Sequence, residues 1–409
     1  MSTMSRLFKA AIANIFTIFA CAVLLLAAGF YFMLEGRSSS ESQTLTGFAA
    51  PKLGDYLSGS FQNQFEQALK DQFVLHDQAI GLMASIKAYL GGGYNVLDNL
   101  LHGRPAEDGL LPYGNVYRMY GTDWLTNLPY TYDEETAQNT IRKAQELNDF
   151  ALRYPSARVY VYYCTRAEDL DWFDESDGIK SYSYSQLLRE SLNESIRFDQ
   201  LKFRDFTEYS RLMYRTDHHW NNAGAACGYA DILGMMSKGT PLGRARSILY
   251  TEAFDHLLWR GSRSRESALT IPAKGLDPFL VDEYILPGHR TWFGEREQEI
   301  GLRAAYKSGE VNRELGFDQY LNYYGFESQP IRLEYEGGAH NLLIVGDSFA
   351  RALREPLSSH FATTVYVNFR ILTDIDLDAV MTGYEIDTVL FMGQQDAWSG
   401  YYLYGGDAP

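Results

Sequence analysis

Two short segments of the chain carry the residue types of nucleophilic acyl chemistry. In the first, Gly346-Asp347-Ser348 follows an apolar run and precedes a segment with a helical pattern. This order predicts that Ser348 lies at the carboxyl end of a buried strand. Open α/β sheets place their sites at that edge, and free N–H groups there can hold an oxyanion. The pattern also fits a structural role in which Asp347 or Ser348 only caps the helix.

The second segment, residues 214–222, reads Tyr-Arg-Thr-Asp-His-His-Trp-Asn-Asn. A serine hydroxyl needs a base to act as a nucleophile, and histidine oriented by a carboxylate is the usual base. Asp217 and His219 are two residues apart, so in an extended segment they point to the same side. The sequence therefore predicts that Asp217 orients His219 against Ser348, with His218 in a structural role.

Composition and charge exclude several classes of protein. The chain has 409 residues, of which 46% are hydrophobic and 22% charged, as in a globular protein of two or three domains. Lys and Arg total 36 against 52 Asp and Glu, a net charge of −16 that excludes broad nucleic-acid binding. Three cysteines exclude a disulfide scaffold and a four-cysteine zinc site.

A nearly continuous apolar run occupies residues 10–34 and is preceded by Arg6 and Lys9. It is long enough to cross a bilayer as a helix, which takes about 20 residues. The positive-inside rule places the N-terminus in the cytoplasm and the rest of the chain in an extracellular or periplasmic position. The alternative is a cleaved signal peptide, whose apolar core is usually shorter, about 7–15 residues.

Composition shifts divide the chain into a few predicted regions. Residues 1–36 form a cytoplasmic tip and transmembrane anchor, 37–57 a linker, and 401–409 a tail. Residues 58–400 form the catalytic domain, with an insertion or subdomain at about 240–338 where periodicity is weak.

Hydrophobic periodicity predicts alternating helices and strands, which favour a parallel α/β sheet flanked by helices. Asn222 is expected to cap the helix that follows it, and Pro356 to kink or end the last one. The predicted helices cover 60–90, 133–153, 185–194, 223–236 and 349–360, and the strands cover 158–164, 341–345, 365–369 and 387–392.

The Asp-His-His-Trp motif at residues 217–220 resembles the signature of the DHHW protein family of bacterial envelopes. That family is similar to the AlgX/AlgJ alginate O-acetyltransferases, whose fold is SGNH-hydrolase-like. The shared pattern is an Asp-x-His-Trp segment upstream of Gly-Asp-Ser-Phe, here at 346–349. Ordinary SGNH hydrolases have the reverse order, so the resemblance implies a circularly permuted motif order over residues 58–400.

The resemblance implies Ser348 as nucleophile, His219 as base and Asp217 as the residue that orients the base. It also implies an arginine after the next strand that helps to bind the oxyanion or acyl group, and Arg370 occupies a comparable place. Arg215 is expected to pair with nearby acidic residues, or to hold an acidic sugar.

The oxyanion hole departs from the family pattern. Ordinary SGNH enzymes add a glycine and an asparagine as donors, and no Gly-x-Asn-Asp block is evident in this chain. Gln394 and Gln395 follow the strand at 387–392 and are the expected substitutes.

The sequence thus predicts a membrane-anchored O-acetyltransferase that modifies a cell-envelope polysaccharide or exopolysaccharide through an acetyl-serine. No metal and no cofactor are expected. No acetyl-CoA motif is present, and the resemblance implies a membrane-bound O-acyltransferase partner as the acetyl supplier. An esterase would use the same three residues, with water as the acceptor.

Two alternatives come from other classes of protein. Asp217-His218-His219 matches the core of the DHH phosphodiesterases, which need paired metals and would draw on Asp169 and Asp171. A non-catalytic sugar-binding envelope protein would stack sugar rings on exposed aromatic side chains. The aromatic residues considered for that role are Tyr182, Tyr184, Trp398, Tyr401 and Tyr402.

Overall fold

The computed structural model describes a part of the chain that belongs to the unit Tyr94–Pro409. The predicted anchor at 10–34, the linker at 37–57 and the predicted helix at 60–90 lie outside the described residues. None of the helices that are described is both long and apolar enough to cross a bilayer. The described residues are 109–110, 116–118, 124–170, 181–259, 261–266, 277–293, 296–297, 319–324, 329–401 and 403.

The described elements alternate between strands and helices along most of the chain. The strands are β1 Gly109–Leu110, β2 Val116–Arg118, β3 Leu125–Asn127, β4 Arg158–Tyr163, β5 Arg197–Gln200, β6 Ile248–Trp259, β7 Asp277–Tyr284, β8 His289–Phe293, β9 Arg296–Glu297, β10 Ile331–Tyr335, β11 Asn341–Gly346, β12 Thr363–Asn368 and β13 Thr388–Gly393. The α-helices are α1 Glu134–Arg153, α2 Tyr184–Ser191, α3 Phe206–Leu212, α4 Asn222–Ser237, α5 Ser262–Glu266, α6 Gln319–Tyr324, α7 Arg354–Ser358, α8 Leu377–Gly383 and α9 Gln395–Ser399. The 3₁₀ helices are Ala167–Asp169, Ser348–Ala352 and Phe369–Asp374.

The central sheet has the strand order β5-β4-β13-β11-β12-β10-β8-β9. From β5 to β12 all neighbours are parallel, as predicted. The strands β10, β8 and β9 then add antiparallel pairs, so the sheet is mixed rather than wholly parallel. The short connection 336–340 reverses the chain between β10 and β11, which a parallel crossover could not do in so few residues.

The core consists of two apolar clusters, one on each face of this sheet, and each is covered by helices. The strand β11 shows the division, because Leu342 and Ile344 belong to one apolar cluster and Leu343 and Val345 to the other. On the first face α4 packs against the sheet, and on the second face α1 does. A strand that is buried on both faces has a continuous apolar sequence, which is why the sequence predicts the strand at 341–345.

The helix starts follow from side-chain caps. Asp133 accepts from the Thr136 amide and caps α1, which confirms the helix predicted at 133–153. The cap of α4 is Asn221, which accepts from the Gly224 amide at 3.0 Å, so the predicted Asn222 cap is wrong by one residue. The side-chain Nδ2 of Asn222 instead donates to Asp282 Oδ1 at 3.0 Å.

The helix predicted at 349–360 is also wrong in detail. A 3₁₀ helix, Ser348–Ala352, is followed by the separate short helix α7. Pro356 lies in the first turn of α7, where no intrahelical N–H donor is needed. The chain therefore breaks at Leu353, before the proline, and Pro356 neither kinks nor ends the helix.

The sheet places several chain segments at one edge. Since β4, β13, β11 and β12 are parallel, the segments that follow them lie together at their carboxyl ends. Gly346, the last residue of β11, pairs with Asn368 of β12 and Met392 of β13. Whatever follows β11 therefore lies between the ends of β12 and β13.

Candidate active site

The segment with the histidines is a tight loop closed by backbone hydrogen bonds. An antiparallel bridge joins Met213 to Trp220, and the Tyr214 amide donates to the His219 carbonyl at 3.1 Å. Trp220 is fully buried and packs edge-to-face on Phe349, with ring centroids 5.2 Å apart. This contact joins the loop to the residue after Ser348, so the aromatic residues of the two motifs hold the motifs together.

Ser348, His219 and Asp217 form one hydrogen-bonded chain. His219 Nε2 lies 2.7 Å from Ser348 Oγ, and His219 Nδ1 lies 2.6 Å from Asp217 Oδ1. Asp217 and His219 are buried, whereas Ser348 is half-buried. The carboxylate accepts the Nδ1 proton, which leaves the Nε2 lone pair to accept from the serine hydroxyl. This arrangement can take the Ser348 proton as the oxygen attacks a carbonyl.

The Asp217 carboxylate is held on both oxygens. Oδ1 also accepts from the His219 amide at 3.0 Å, and Oδ2 accepts from the Ser262 amide at 2.7 Å. Burial alone would favour the protonated acid. The neighbouring imidazoles of His218 and His219 and these hydrogen bonds outweigh burial and hold the pKa of Asp217 well below its usual range. Asp217 is therefore an anion at neutral pH.

His218 lies beside the chain of hydrogen bonds rather than in it. Its ring centroid is 3.9 Å from that of His219, and its Nδ1 lies 2.8 Å from Ser262 Oγ. Burial, with the neighbouring His219, holds the pKa of His218 well below its usual range. The contact with Ser262 places His218 beside His219 rather than between His219 and Ser348.

Asp347 caps the 3₁₀ helix while its neighbour Ser348 faces His219. Asp347 accepts from the Phe349 amide at 2.9 Å and from the Gln394 amide at 2.8 Å. Burial raises the pKa of Asp347, against the effect of those two donors. Because Asp347 links the ends of β11 and β13, it fixes the turn from which Ser348 projects.

Tyr320 is a site residue that the sequence analysis missed. It belongs to α6, its ring stacks on His219 with centroids 4.1 Å apart, and its hydroxyl donates to the Ser348 carbonyl at 3.1 Å. Its side chain is buried, and burial raises the pKa of the phenol well above its usual range. Tyr320 comes from the block with weak periodicity, where no local pattern distinguishes it from other tyrosines.

The glutamines after β13 take different positions. The Gln394 side chain accepts from Arg166 Nη1 at 2.7 Å and donates to Asp396 at 3.1 Å. Gln395 is buried and donates to Thr140 of α1 at 3.0 Å. Gln394 therefore lies at the edge of the sheet next to Asp347, whereas Gln395 is engaged with the core.

The predicted arginines lie near the ends of the site segments. Arg370 is exposed after β12, and its amide donates to Asn368 at 3.0 Å. The Arg215 amide donates to Asp277 at 2.7 Å, while its guanidinium lies 4.0 Å from the same carboxylate. Neither guanidinium is among the described contacts of Ser348, His219 or Asp217.

The ligand atoms of Asp217, His218 and His219 lie within 4.8 Å of one another, as a metal site would require. The two ring nitrogens of His219 already contact Asp217 and Ser348, and Nδ1 of His218 contacts Ser262. Asp169 bonds the Tyr163 hydroxyl and the Arg166 amide, so it does not join the cluster. Asp171 lies outside the described residues. The geometry therefore favours proton transfer to a base over the phosphodiesterase alternative.

The aromatic residues considered for sugar stacking are mostly enclosed. Trp398 and Tyr184 are fully buried, so their faces are closed to a sugar ring. Tyr182 and Tyr401 are half-buried, and Tyr402 lies outside the described residues. This placement weakens the sugar-binding alternative for Trp398 and Tyr184.

Comparison with protein families and with curated proteins finds no match. Among solved structures, the chain is similar to a DHHW family protein from Eubacterium siraeum, with 15% identity and a TM-score of 0.53 over 70% of this chain and 91% of that one. It is also similar to Bacillus cereus PatB1, with 19% identity and a TM-score of 0.53 over 70% of this chain and 98% of that one. A PatB1 structure with a sulfonyl adduct matches with 17% identity and a TM-score of 0.52 over 68% and 96% of the two chains. The resemblance to the DHHW family is thus confirmed at the level of the fold.

Gly261 allows the Ser262 amide to approach Asp217. A Cβ atom at Gly261 would lie 2.4 Å from the Thr216 carbonyl oxygen and 2.5 Å from Asp217 Cβ. We expect Gly261→Ala to move the Ser262 amide away from Asp217 and to slow acylation of Ser348 roughly 10–100-fold. The control is Gly234→Ala in α4, where an added Cβ meets nothing within 4 Å. Equal acylation rates in the two variants would contradict this account.

Asp277 predicts a dependence of stability on pH. Burial raises its pKa from 3.8 to about 6, against the Arg215 and Thr216 amides that donate to it. Between these two pKa values the folded state holds a proton on Asp277 that the unfolded state has lost. The contribution of Asp277 to the free energy of unfolding is therefore largest below about pH 4 and decreases as pH rises through 6. The loss by pH 7 is at most about 3 kcal/mol.

We expect Asp277→Asn to remove this part of the slope in urea unfolding between pH 4 and 7. Asp169, whose pKa burial raises to about 7, adds a slope of the same sign in both proteins, so the difference between them is the quantity to measure. Asp149→Asn on the exposed face of α1 is the control for the loss of one carboxylate. An unchanged slope in Asp277→Asn would show that Asp277 titrates normally.

Proposed function

We propose that this protein is a membrane-anchored O-acetyltransferase that acetylates hydroxyls of a cell-envelope polysaccharide or exopolysaccharide through Ser348. The observation that carries the proposal is the hydrogen-bonded chain from the half-buried Ser348 through His219 to the buried Asp217. Its position at the carboxyl edge of the sheet is where α/β enzymes bind their substrates. The likeness to a DHHW family protein supports the fold on which this site is built, and the resemblance of the sequence motifs to that family implies an O-acetyltransferase.

In the first half-reaction Ser348 Oγ attacks the carbonyl carbon of an acetyl ester. The hydroxyl proton passes to His219 Nε2, and the carbonyl oxygen becomes an oxyanion that the Ser348 amide stabilises. When the tetrahedral intermediate collapses, the bond to the donor oxygen breaks. His219 returns its proton to that oxygen, which leaves as an alcohol, and the acetyl group remains on Ser348.

In the second half-reaction a sugar hydroxyl replaces the donor. His219 takes the proton of the sugar hydroxyl, and the sugar oxygen attacks the acetyl-serine carbonyl. The bond to Ser348 Oγ then breaks, and the proton on His219 returns to that oxygen. Asp217 stabilises the imidazolium in both halves, and the enzyme ends in its starting state.

The donor is delivered from the membrane in this proposal. The apolar run at 10–34 anchors the chain, and a polytopic O-acyltransferase passes the acetyl group across the bilayer to Ser348. We expect full-length protein to fractionate with membranes and to be released by detergent but not by high salt or alkaline carbonate. Removal of residues 1–36 should move it to the soluble fraction. Release of the full chain by carbonate alone would contradict an integral anchor.

The nucleophile is tested with p-nitrophenyl acetate as donor and the full-length protein. The expected product is an acetyl group on Ser348, located by mass spectrometry of proteolytic peptides. Ser348→Ala should lose the acetylated peptide and lower the rate at least about a thousandfold, since the serine is the attacking atom. Asp217→Asn should lower it by a comparable factor, because the imidazole loses its orienting anion.

The acceptor distinguishes the transferase from an esterase. A soluble oligosaccharide such as cellopentaose is added, and acetylated sugar is compared with free acetate. Sugar ester that forms only with intact Ser348 supports the transferase, whereas free acetate alone at every sugar concentration identifies an esterase. If Ser348 stays unmodified in the wild type and Ser348→Ala reacts at the wild-type rate, then both the transferase and the esterase through Ser348 are excluded. The sugar-binding alternative would then remain.

A further inference from the structure

Arg263 lies directly behind Asp217 and is buried to 1% exposure. Its Nη1 donates to the Asp217 carbonyl at 2.8 Å and to the Leu125 carbonyl at 3.2 Å. Its Nε donates to Asn127 at 3.2 Å, and its Nη2 donates to the two oxygens of Glu168 at 3.1 and 3.0 Å. The Arg263 guanidinium therefore joins its own segment to three others, at 125–127, 168 and 217.

This set of contacts matches the donor capacity of the side chain. A guanidinium has five N–H donors in a rigid planar fork, and Arg263 has an acceptor for each of them. Lysine has the same charge but three donors on a point charge, so it cannot reproduce the pattern. A residue satisfied in this way fixes the relative positions of all its partners.

Glu168 holds Arg263 in place. It is 1% exposed and bonds both Arg166 and Arg263. Burial opposes its charge, yet the two guanidinium groups lower its pKa from 4.5 to about 2. Glu168 is therefore an anion at neutral pH, and its two oxygens fix the Arg263 guanidinium.

We propose that Arg263, held by Glu168, is a positioning residue that sets the orientation of Asp217 toward His219. The inference rests on the proposed function of Ser348, His219 and Asp217. Arg263 fixes the main chain of Asp217 while the adjacent Ser262 amide fixes its carboxylate, so both ends of the residue are held by one short segment. The same network reaches the other half of the site, because Arg166 donates to Gln394, whose amide bonds Asp347.

A buried ion pair also has a purely structural interpretation. Replacing one partner would then lower the stability of the fold without changing the rate of the folded molecules. The two accounts differ in kcat, in the dependence on Asp217, and in the imidazole proton that bonds the carboxylate.

The experiment uses full-length protein with Arg263→Lys, Arg263→Met and Glu168→Gln. The rate of Ser348 acylation by p-nitrophenyl acetate gives kcat and KM, and labelling by phenylmethylsulfonyl fluoride gives the reactivity of Ser348 itself. Arg246→Met is the control, because Arg246 is a half-buried arginine bonded to Ser359 with no described contact to the site. Thermal unfolding and circular dichroism give the folded fraction of each variant.

We expect Arg263→Met and Arg263→Lys to lower kcat and the labelling rate roughly 10–100-fold at unchanged KM, as misplaced catalytic groups do. Arg246→Met should stay within twofold of the wild type. In the Asp217→Asn background Arg263→Met should have little further effect, because Arg263 acts through Asp217. The far-downfield proton NMR signal of an imidazole N–H bonded to a carboxylate should weaken in both Arg263 variants.

Normal kcat per folded molecule in the Arg263 variants, or an equal loss with and without Asp217, would overturn the inference. If neither Arg263 variant folds, Glu168→Gln decides, with an expected loss of roughly tenfold from one charged hydrogen bond. Failure of the proposed function appears separately, since Ser348→Ala would then label and react like the wild type whatever residue stands at 263.

Discussion

The hydrogen bond between the Asp217 carboxylate and His219 Nδ1 is the interaction on which the site depends. At 2.6 Å, with both residues buried, it sets the tautomer and the rotation of the imidazole, and it thereby directs Nε2 to Ser348. A carboxylate is stable there because every described neighbour of its oxygens is a donor. The loop that carries both residues is closed by the Met213–Trp220 bridge, which holds Asp217 and His219 in one short segment.

The sheet imposes the second constraint, because parallel strands end at one edge. The turn after β11 emerges between the ends of β12 and β13, and Asp347 joins it to the Gln394 amide. Ser348 is consequently held by the sheet, while His219 is held by its loop. The buried contact between Trp220 and Phe349 sets the distance between these two supports.

The block at 240–338 is part of the site rather than an appendage to it. Its strands β8, β9 and β10 extend the central sheet, while β6 and β7 pair with each other in a separate sheet. Its Ser262 amide and Arg263 guanidinium hold Asp217, and its Tyr320 stacks on His219. The buried charge of Asp217 explains why the block provides these contacts. An anion and a histidine base buried together need donors and a compensating cation, and this block contributes both.

Local signals in the sequence were enough to predict several elements and site residues. Periodicity predicted the helix at 133–153 and the strand at 341–345, and two short motifs predicted which serine, histidine and aspartate lie together. The folded chain was needed to find the mixed sheet, the break before Pro356, and the contacts of Tyr320 and Arg263. The difference comes from separation along the chain. The roles of the stacked Tyr320 ring and the Arg263 guanidinium depend on partners distant in the sequence, so the residues next to them show no pattern that predicts those roles.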